Sequence, residues 1–254
     1  MDPARVFTDS QFSVNPAILS PGLGDLFPPG VAVAELRRPG DVRQLYPAEA
    51  ASLKGSVPKR AAEFAAGRLC ARRALAEFGI HDFAVRVGDS REPLWPPHMI
   101  GSITHTAGLC VAVVAQRGDL AAVGLDSEVV GQVPEEIWPT ICLPEERAWL
   151  AALPEAVRAV GITLLFTAKE AFYKCQYPLV REWLDFHDLM VEPLNWGAAQ
   201  GEYRVRSTRR IALEDRASLP VIGRFAIHEE FVSVGIALRA DALVNNVPSS
   251  DIGH

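Results

Sequence analysis

Twice along this chain a long helical pattern is followed by two strand patterns, the second of them apolar, and this order constrains the fold more than any other feature. In the first half, a strand, a bend containing His105 and an apolar strand follow a helix. In the second half, a strand, a bend containing His228 and the apolar strand FVSVGIAL follow another helix. The match is one of element order and is weak at the level of residues. It permits an internal duplication without establishing one.

Hydrophobic periodicity predicts the individual elements. From Pro58 to Gly79, apolar residues recur at three-, four- and seven-residue steps, which is typical of an amphipathic helix, and Gly79 supplies a stop. A second long helix is predicted from Val157 to near Pro178. The predicted strands are Ile100–Thr104, Leu109–Ala115, Leu120–Leu125, Glu202–Val205, Arg209–Leu213, Gly223–Ile227 and Phe231–Leu238. Irregular structure is predicted for about the first 35 residues, which contain many prolines and glycines, and for the last dozen.

The distribution of charge limits the partners. The 254 residues carry 25 basic and 31 acidic side chains, a net charge of −6, so a general coat on DNA or RNA is not expected. Residues 1–120 contain 13 basic and 12 acidic side chains, and residues 121–254 contain 12 and 19. Eight basic side chains lie between Lys54 and Arg91. This basic segment is either a solvated helix face or a binding site for a small polyanion.

Cysteine spacing and hydropathy indicate the compartment. The four cysteines lie about 30 to 40 residues apart and form no C-x-x-C pair, so neither a zinc cluster nor a redox motif is expected. The beginning, MDPARVFTDS, has no apolar signal region, and no apolar run approaches the roughly 18 residues that a membrane helix needs. We expect a soluble cytoplasmic protein with reduced cysteines and no membrane partner.

Three acidic side chains are candidates for a metal site. Asp126 and Glu128 lie two residues apart in AVGLDSEVV, so on a strand both point to the same side. Such a pair occurs either on a solvated strand end or where a cation such as Mg²⁺ bridges it. Glu170, in FTAKEAFYK, could complete the site or could form an i, i+4 ion pair with Lys174. Lys169 could be an ordinary surface lysine.

His105 lies in GSITHTAG among the hydroxyl residues Ser102, Thr104 and Thr106, and such a histidine is often only a hydrogen-bonded structural residue. The chain contains no G-x-S-x-G, no G-x-G-x-x-G and no P-loop motif. A hydrolase nucleophile elbow, a Rossmann dinucleotide site and a P-loop are therefore not supported. Any bound phosphate must be held by scattered basic side chains.

Five segments, taken in order, resemble those of the surfactin-type and enterobactin-type 4'-phosphopantetheinyl transferases. They are KRAAEFAAGRLCARRAL, GDSREPLWP, GSITHT, VGLDSE and FTAKEAFYK, and they extend from about Lys59 to Lys174. Enzymes of this class move phosphopantetheine from coenzyme A to a serine of a carrier protein. VGLDSE differs from the commoner V-G-I-D-[IV]-E because Ser127 stands between the two carboxylates, both of which are retained.

The resemblance implies a catalytic set. Asp126, Glu128 and Glu170 would hold Mg²⁺ against the coenzyme A pyrophosphate, and Glu170 would also be the general base, directly or through a water. Lys174 and Lys169 would stabilise charge on the transferring phosphate or the leaving nucleotide.

The resemblance also implies how coenzyme A is held. Arg60 and Arg68 correspond to the helix arginines of the family, Arg91 to a basic residue before a proline, and His105 to a phosphate-contacting histidine. Thr104 would add a hydroxyl contact. Guanidinium groups suit phosphate because they can donate two parallel hydrogen bonds.

The implied fold is an α+β pseudodimer, with two similar α+β subdomains at residues 1–120 and 121–254 and coenzyme A between them. The implied partner is an apo acyl carrier protein or a peptidyl or polyketide carrier domain, in siderophore or other secondary-metabolite biosynthesis, and the enzyme would be a monomer. Two other functions stay open from the residues: a Mg²⁺-dependent phosphoesterase acting on coenzyme A-like nucleotides, and a noncatalytic coenzyme A-binding module.

Overall fold

Residues 22–217 and 219–243 are described by a computed structural model. The last dozen residues, predicted to be irregular, lie outside this range except for Leu243, as do the first 21 residues. The helices are α1 (Pro47–Ala50), α2 (Pro58–Ala76), α3 (Trp138–Ile141), α4 (Pro144–Ala152) and α5 (Glu155–Val180). The strands are β1 (Val31–Leu36), β2 (Arg86–Val87), β3 (Pro93–Leu94), β4 (Met99–Thr106), β5 (Leu109–Gln116), β6 (Leu120–Val129), β7 (Leu189–Pro193), β8 (Gln200–Ser207), β9 (Val221–His228) and β10 (Phe231–Arg239).

The two main sheets are antiparallel and share an order of strands. The smaller sheet has the order β1-β5-β4, and the larger has the order β6-β10-β9-β8-β7. In the smaller sheet, β1 pairs with β5, and β5 pairs with β4. In the larger sheet, β6 pairs with β10 and β10 pairs with β9, so in both halves the first strand lies beside the last and the last beside the one before it in sequence. A long helix, α2 or α5, follows the first strand in both cases. The predicted α+β fold with two similar halves is confirmed, while the boundary at residue 120 remains a prediction.

The two predicted histidine bends are not equivalent positions. The β4–β5 hairpin closes on the pair Thr106 and Leu109, and the β9–β10 hairpin closes on His228 and Phe231. His228 therefore corresponds to Thr106, and His105 lies one residue earlier. Because a shift of one residue on a strand reverses the face, His105 is exposed whereas His228 is buried.

Three apolar clusters form the core. Helix α5 packs on the larger sheet through residues such as Leu164 and Phe172, and α2 packs on the smaller sheet through Leu75. The third cluster, which we call the intersheet core, lies where the two sheets face each other and contains Val111 and Leu125. The halves are thus joined by a shared apolar interior, which positions β4 beside β6.

Two predictions about secondary structure are wrong. The segment Arg209–Leu213 is not a strand: its end forms a 3-10 helix, Ala212–Asp215. Ile211 and Leu213 alternate as in a strand, but both are buried without joining a sheet. The irregular structure predicted for about the first 35 residues is also wrong in part, because strand β1 begins at Val31. Helix α5 ends at Val180, near Pro178 as predicted, and Arg181 then adopts a left-handed conformation with φ of 55°.

Among the residues that the structure describes, no helix has the length and apolar character needed to cross a bilayer.

Candidate active site

The two acidic side chains of β6 are held by hydroxyl groups of β4. Thr104 Oγ1 donates to Asp126 Oδ1 at 2.7 Å, and Thr106 Oγ1 donates to Glu128 Oε2 at 2.8 Å. Asp126 is buried, with 3% of its surface exposed, and Glu128 is half-buried. The pair therefore does not lie on a solvated strand end, which was one of the two possibilities left by the sequence.

Helix α5 brings Lys174 to the same carboxylates. Lys174 Nζ donates to Asp126 Oδ1 at 2.6 Å, so its ion pair is with Asp126. The helix can approach β6 closely because Gly124 has no side chain: a Cβ atom there would lie 2.0 Å from the carbonyl oxygen of Ala171. Glu170, one turn before Lys174, is near enough to raise the lysine's pKa.

The charges at this site act on one another. Burial raises the pKa of Glu128, and Asp126 and Glu170 raise it further, whereas the hydrogen bond from Thr106 and the charge of Lys174 oppose the change. Burial also raises the pKa of Glu170, with Asp126 adding to it and Lys174 opposing it. Burial alone would lower the pKa of Lys174, but the three surrounding carboxylates outweigh this and raise it. A cation is therefore favoured here.

The residues present fit a hard divalent cation by the chemistry of their donors. Asp126 Oδ2 is buried and has no hydrogen-bond partner, although buried carboxylate oxygens are normally paired. Three carboxylates, Asp126, Glu128 and Glu170, repel one another at this point, and oxygen ligands of this kind are those that Mg²⁺ prefers. Within residues 22–217 and 219–243, no three His, Cys, Asp or Glu side chains already converge as a complete metal site.

Two cavities adjoin at Arg91. One, of about 410 Å³, is lined by Arg60, Arg68, Arg91 and His105 among others. The other, of about 560 Å³, is lined by Arg91 together with Glu170, Lys174 and several apolar and aromatic side chains. Arg91 has a left-handed backbone, with φ of 68°. The four basic residues expected to bind phosphate thus share one cavity, and two of the expected catalytic residues line the next.

Arg68 differs from the other arginines of the smaller cavity. It is buried, its Nε donates to the carbonyl oxygen of Val85 at 2.6 Å, and its guanidinium lies 4.1 Å from the centroid of the Phe64 ring. Burial lowers the pKa of Arg68 to about 10, so the group is still charged at neutral pH. Arg72, one turn later, pairs with buried Glu49 at 2.6 Å and is not among the residues that line this cavity.

Lys169 is placed apart from Lys174. Its side chain is 1% exposed, and its Nζ contacts Glu146 Oε2 at 2.7 Å and the carbonyl oxygens of Ile141 and Phe186 at 2.7 and 2.9 Å. These acceptors match the three donors of an ammonium group. Lys169 is not a surface lysine, and it does not line the cavity that holds Lys174.

The sequence did not identify several residues that shape the site. Thr106 holds Glu128, and Trp95, Tyr173 and Tyr177 form walls of the larger cavity. The signal for Thr106 was present, because Ser102, Thr104 and Thr106 alternate along β4 and so point to one side. That this side would meet β6, 22 residues away, follows only from the packing of the two halves.

Comparison with known families covers most of the described chain. Residues 48–115 match the family model for the 4'-phosphopantetheinyl transferase N-terminal domain, and residues 122–221 match the model for the 4'-phosphopantetheinyl transferase superfamily.

Individual relatives agree with these family matches. The chain is 38% identical to 4'-phosphopantetheinyl transferase Npt of Nocardia iowensis over 163 residues, which are 64% of this chain and 72% of Npt. It is 43% identical to 4'-phosphopantetheinyl transferase PptT of Mycobacterium tuberculosis over 143 residues, 56% of this chain and 62% of PptT. It is 38% identical to enterobactin synthase component D of Salmonella typhi over 126 residues, 48% of this chain and 50% of that protein. The chain therefore spans less than two thirds of the latter two relatives. It belongs to the 4'-phosphopantetheinyl transferase superfamily.

Proposed function

We propose that this protein transfers the 4'-phosphopantetheine group of coenzyme A to a serine of an apo acyl carrier protein or of a peptidyl or polyketide carrier domain. The serine oxygen forms a bond to the phosphorus that carries pantetheine, the pyrophosphate bond to that phosphorus breaks, and adenosine 3',5'-bisphosphate leaves. The observation that carries the proposal is the junction at Arg91, where a cationic cavity adjoins one lined by Glu170 and Lys174.

The basic cavity is suited to the phosphates of coenzyme A. Arg60, Arg91 and His105 are exposed, so they can exchange water for phosphate oxygens, whereas buried Arg68 contributes a fixed positive charge. The hydroxyl hydrogen of Thr104 is already donated to Asp126. We therefore assign Thr104 to holding that carboxylate in place of the phosphate contact expected from the sequence.

The carboxylate cluster supplies the chemistry at phosphorus. Mg²⁺ held by Asp126, Glu128 and Glu170 would neutralise charge on the pyrophosphate when bound. Glu170, which lines the larger cavity beside Lys174, takes the proton of the carrier serine, directly or through a water. Lys174 offsets charge on the transferring phosphate. Lys169 has no part in this proposal, because its donors are used elsewhere.

The surroundings of the enzyme are also proposed. The four cysteines Cys70, Cys110, Cys142 and Cys175 are buried and unpaired with one another, which suits a reducing compartment such as the cytoplasm. The two halves share an intersheet core, which suits a protein that acts as a monomer. Siderophore biosynthesis is one pathway to test first, because one relative is an enterobactin synthase component.

The test is a mass measurement on a panel of carrier proteins. Each apo carrier is incubated with the protein, coenzyme A and Mg²⁺, and its intact mass is expected to rise by one phosphopantetheine group. Asp126→Ala and removal of divalent metal by a chelator should each abolish the adduct. Glu192→Ala, which removes an exposed carboxylate paired with Arg204 on the far strands, should leave it unchanged.

The outcomes separate the other two functions. Release of adenosine 3',5'-bisphosphate from coenzyme A without a carrier would favour a phosphoesterase. Tight, metal-independent binding of coenzyme A without any adduct on the whole panel would favour a noncatalytic binding module. Full activity of Asp126→Ala would show that the metal ligands are wrongly assigned.

A further inference from the structure

A chain of three buried polar side chains crosses the edge of the intersheet core. Ser127 Oγ lies 2.7 Å from Ser233 Oγ, and Ser233 Oγ lies 2.8 Å from His228 Nε2. The two serines have no exposed surface, and His228 is 6% exposed. Along the strands these residues alternate with the side chains that face α5, so they share the face of Leu125, Phe231 and Ala226 in the intersheet core.

This polar chain lies directly behind the carboxylate pair. Ser127 stands between Asp126 and Glu128 on β6, and in the ladder it is the direct partner of Ser233 on β10. Because successive side chains of a strand point to opposite faces, the carboxylates project on one side of β6 while Ser127 anchors the other. A hydrogen bond from Ser127 therefore fixes the same short piece of backbone that sets the spacing of the two carboxylates.

The hydrogen atoms can be placed in one consistent order. In the Nδ1–H tautomer of a neutral imidazole, Nε2 is an acceptor, so Ser233 donates to His228 and Ser127 in turn donates to Ser233. The groups that act on His228 are Arg37, Glu229 and Glu35, and its ring packs on Phe231. Burial lowers the pKa of His228, and Arg37 lowers it further, which keeps the imidazole neutral. The hydroxyl groups of Ser127 and Ser233 then each donate to an acceptor.

Packing alone does not require these groups. Their neighbours in the intersheet core are apolar, and an apolar side chain of similar size at any of the three positions would avoid burying polar atoms. Unlike apolar contacts, the hydrogen bonds of the polar chain depend on distance and angle, so they hold β6, β10 and the end of β9 in one relative position. In metal sites, partners outside the ligands that hold them in position strongly affect affinity for the metal.

We propose that Ser127, Ser233 and His228 are positioning residues for the Asp126–Glu128 pair, holding β6 so that both carboxylates keep the separation at which they bind a divalent cation. This inference rests on the proposed function, because it concerns the same carboxylates. It assigns the three residues no contact with coenzyme A or with the carrier.

The experiment measures Mn²⁺ binding to the full chain by electron paramagnetic resonance, without coenzyme A or carrier. Ser233→Ala and His228→Leu are each expected to raise the Kd for Mn²⁺ about tenfold, the lower end of the range for direct partners of metal ligands, because these residues act on the carboxylates through the backbone of β6. His228→Gln keeps an amide able to hydrogen-bond Ser233 and should restore binding close to that of the unmodified protein. In transfer assays, the Mg²⁺ concentration for half-maximal rate should rise while kcat at saturating Mg²⁺ is retained.

Thr163→Val is the matched control. Thr163 is fully buried on α5, and its hydroxyl donates to the carbonyl oxygen of Ala159 at 2.7 Å, outside the polar chain. This variant should lower thermal stability as Ser233→Ala does but leave the Kd for Mn²⁺ unchanged. If Ser233→Ala behaves like the control, the positioning role is overturned while the proposed function stands. If the unmodified protein binds no Mn²⁺, or if Asp126→Ala does not remove the binding, the proposed metal site is wrong, and this inference is wrong with it.

Discussion

Two lysines on α5, five residues apart, have different surroundings, and we therefore expect their replacement to have different effects on stability and activity. Lys169 is enclosed, pairs with equally buried Glu146 and is held by two carbonyl oxygens. Burial lowers its pKa, and Glu146 opposes this effect. The side chain of Lys174 is 29% exposed and reaches Asp126 at the edge of the larger cavity. Lys169 therefore contributes to the stability of the fold, whereas Lys174 lies where the proposed function places the transferring phosphate.

Replacing each lysine by methionine separates these roles. Lys169→Met should lower the free energy of unfolding by about 3 to 5 kcal/mol, because it leaves the carboxylate of Glu146 buried without its counter-charge. Lys174→Met should lower kcat for carrier modification by about a hundredfold, as loss of a charge-stabilising donor does, with a smaller loss of stability. Urea unfolding and the carrier assay measure the two effects. A stable but inactive Lys169→Met would contradict this division.

At this scale the sequence predicted residue types better than partners. It offered Asp126 and Glu128 as candidates through their spacing and Glu170 through the family resemblance, and in the structure the charges of all three act on Lys174. It could not distinguish Lys169 from Lys174, because the difference depends on Glu146, which is 23 residues distant and comes close only through packing.

Among the elements, the contact between α5 and β6 decides the geometry of the site. Gly124 lies opposite Ala171, and the close approach of strand and helix places Lys174 within hydrogen-bond distance of Asp126. The segment VGLDSE thus combines a glycine for the approach with two carboxylates for the chemistry.

Gly124→Ala should therefore impair the site through the position of the helix. The added methyl group would lie 2.0 Å from a backbone oxygen, so α5 must shift away from β6. We expect a loss of stability of about 1 to 3 kcal/mol, as in other overpacked cores, together with a fall in kcat for carrier modification. Gly118→Ala, in the β5–β6 turn where nothing lies within 4 Å, is the control and should change neither quantity. Unchanged kcat in Gly124→Ala would mean that this contact does not set the site.

Secondary structure was predictable where the spacing of apolar residues along the sequence matches the face that the folded protein buries. Helices α2 and α5 and both hairpins were found from their apolar patterns. The alternation of Ile211 and Leu213 gave a false strand, because Ile211 just before the 3-10 helix and Leu213 within it are both buried without pairing in a sheet. The preceding Arg209 pairs with Asp188 and Glu182. Helix α4 was missed; its position depends on Glu146 reaching Lys169 and the backbone of β7.

In the whole molecule, a net charge of −6 coexists with a local concentration of positive charge. The smaller cavity collects three arginines and His105 from α2, the loop before β3 and β4, whereas the carboxylates lie on β6 and α5. A phosphate-rich ligand that occupies both cavities would contact both halves. Its binding should stabilise the molecule as one unit, because the halves also share the intersheet core.

Coenzyme A should accordingly raise the melting temperature in a single transition. At a free concentration of 100 times Kd, a ligand that binds only the folded state adds about 2.7 kcal/mol. Adenosine 3',5'-bisphosphate should stabilise the protein more than pantetheine does, because Arg60 and Arg91 are exposed cations suited to phosphate, and added salt should weaken this effect by screening them. Arg91→Gln should reduce the shift, whereas Arg43→Gln, which removes an exposed guanidinium paired with Asp41, should not. Equal shifts with pantetheine and with the bisphosphate would contradict a phosphate site at Arg91, because they would assign the binding energy to the apolar walls around Trp95 and Tyr177.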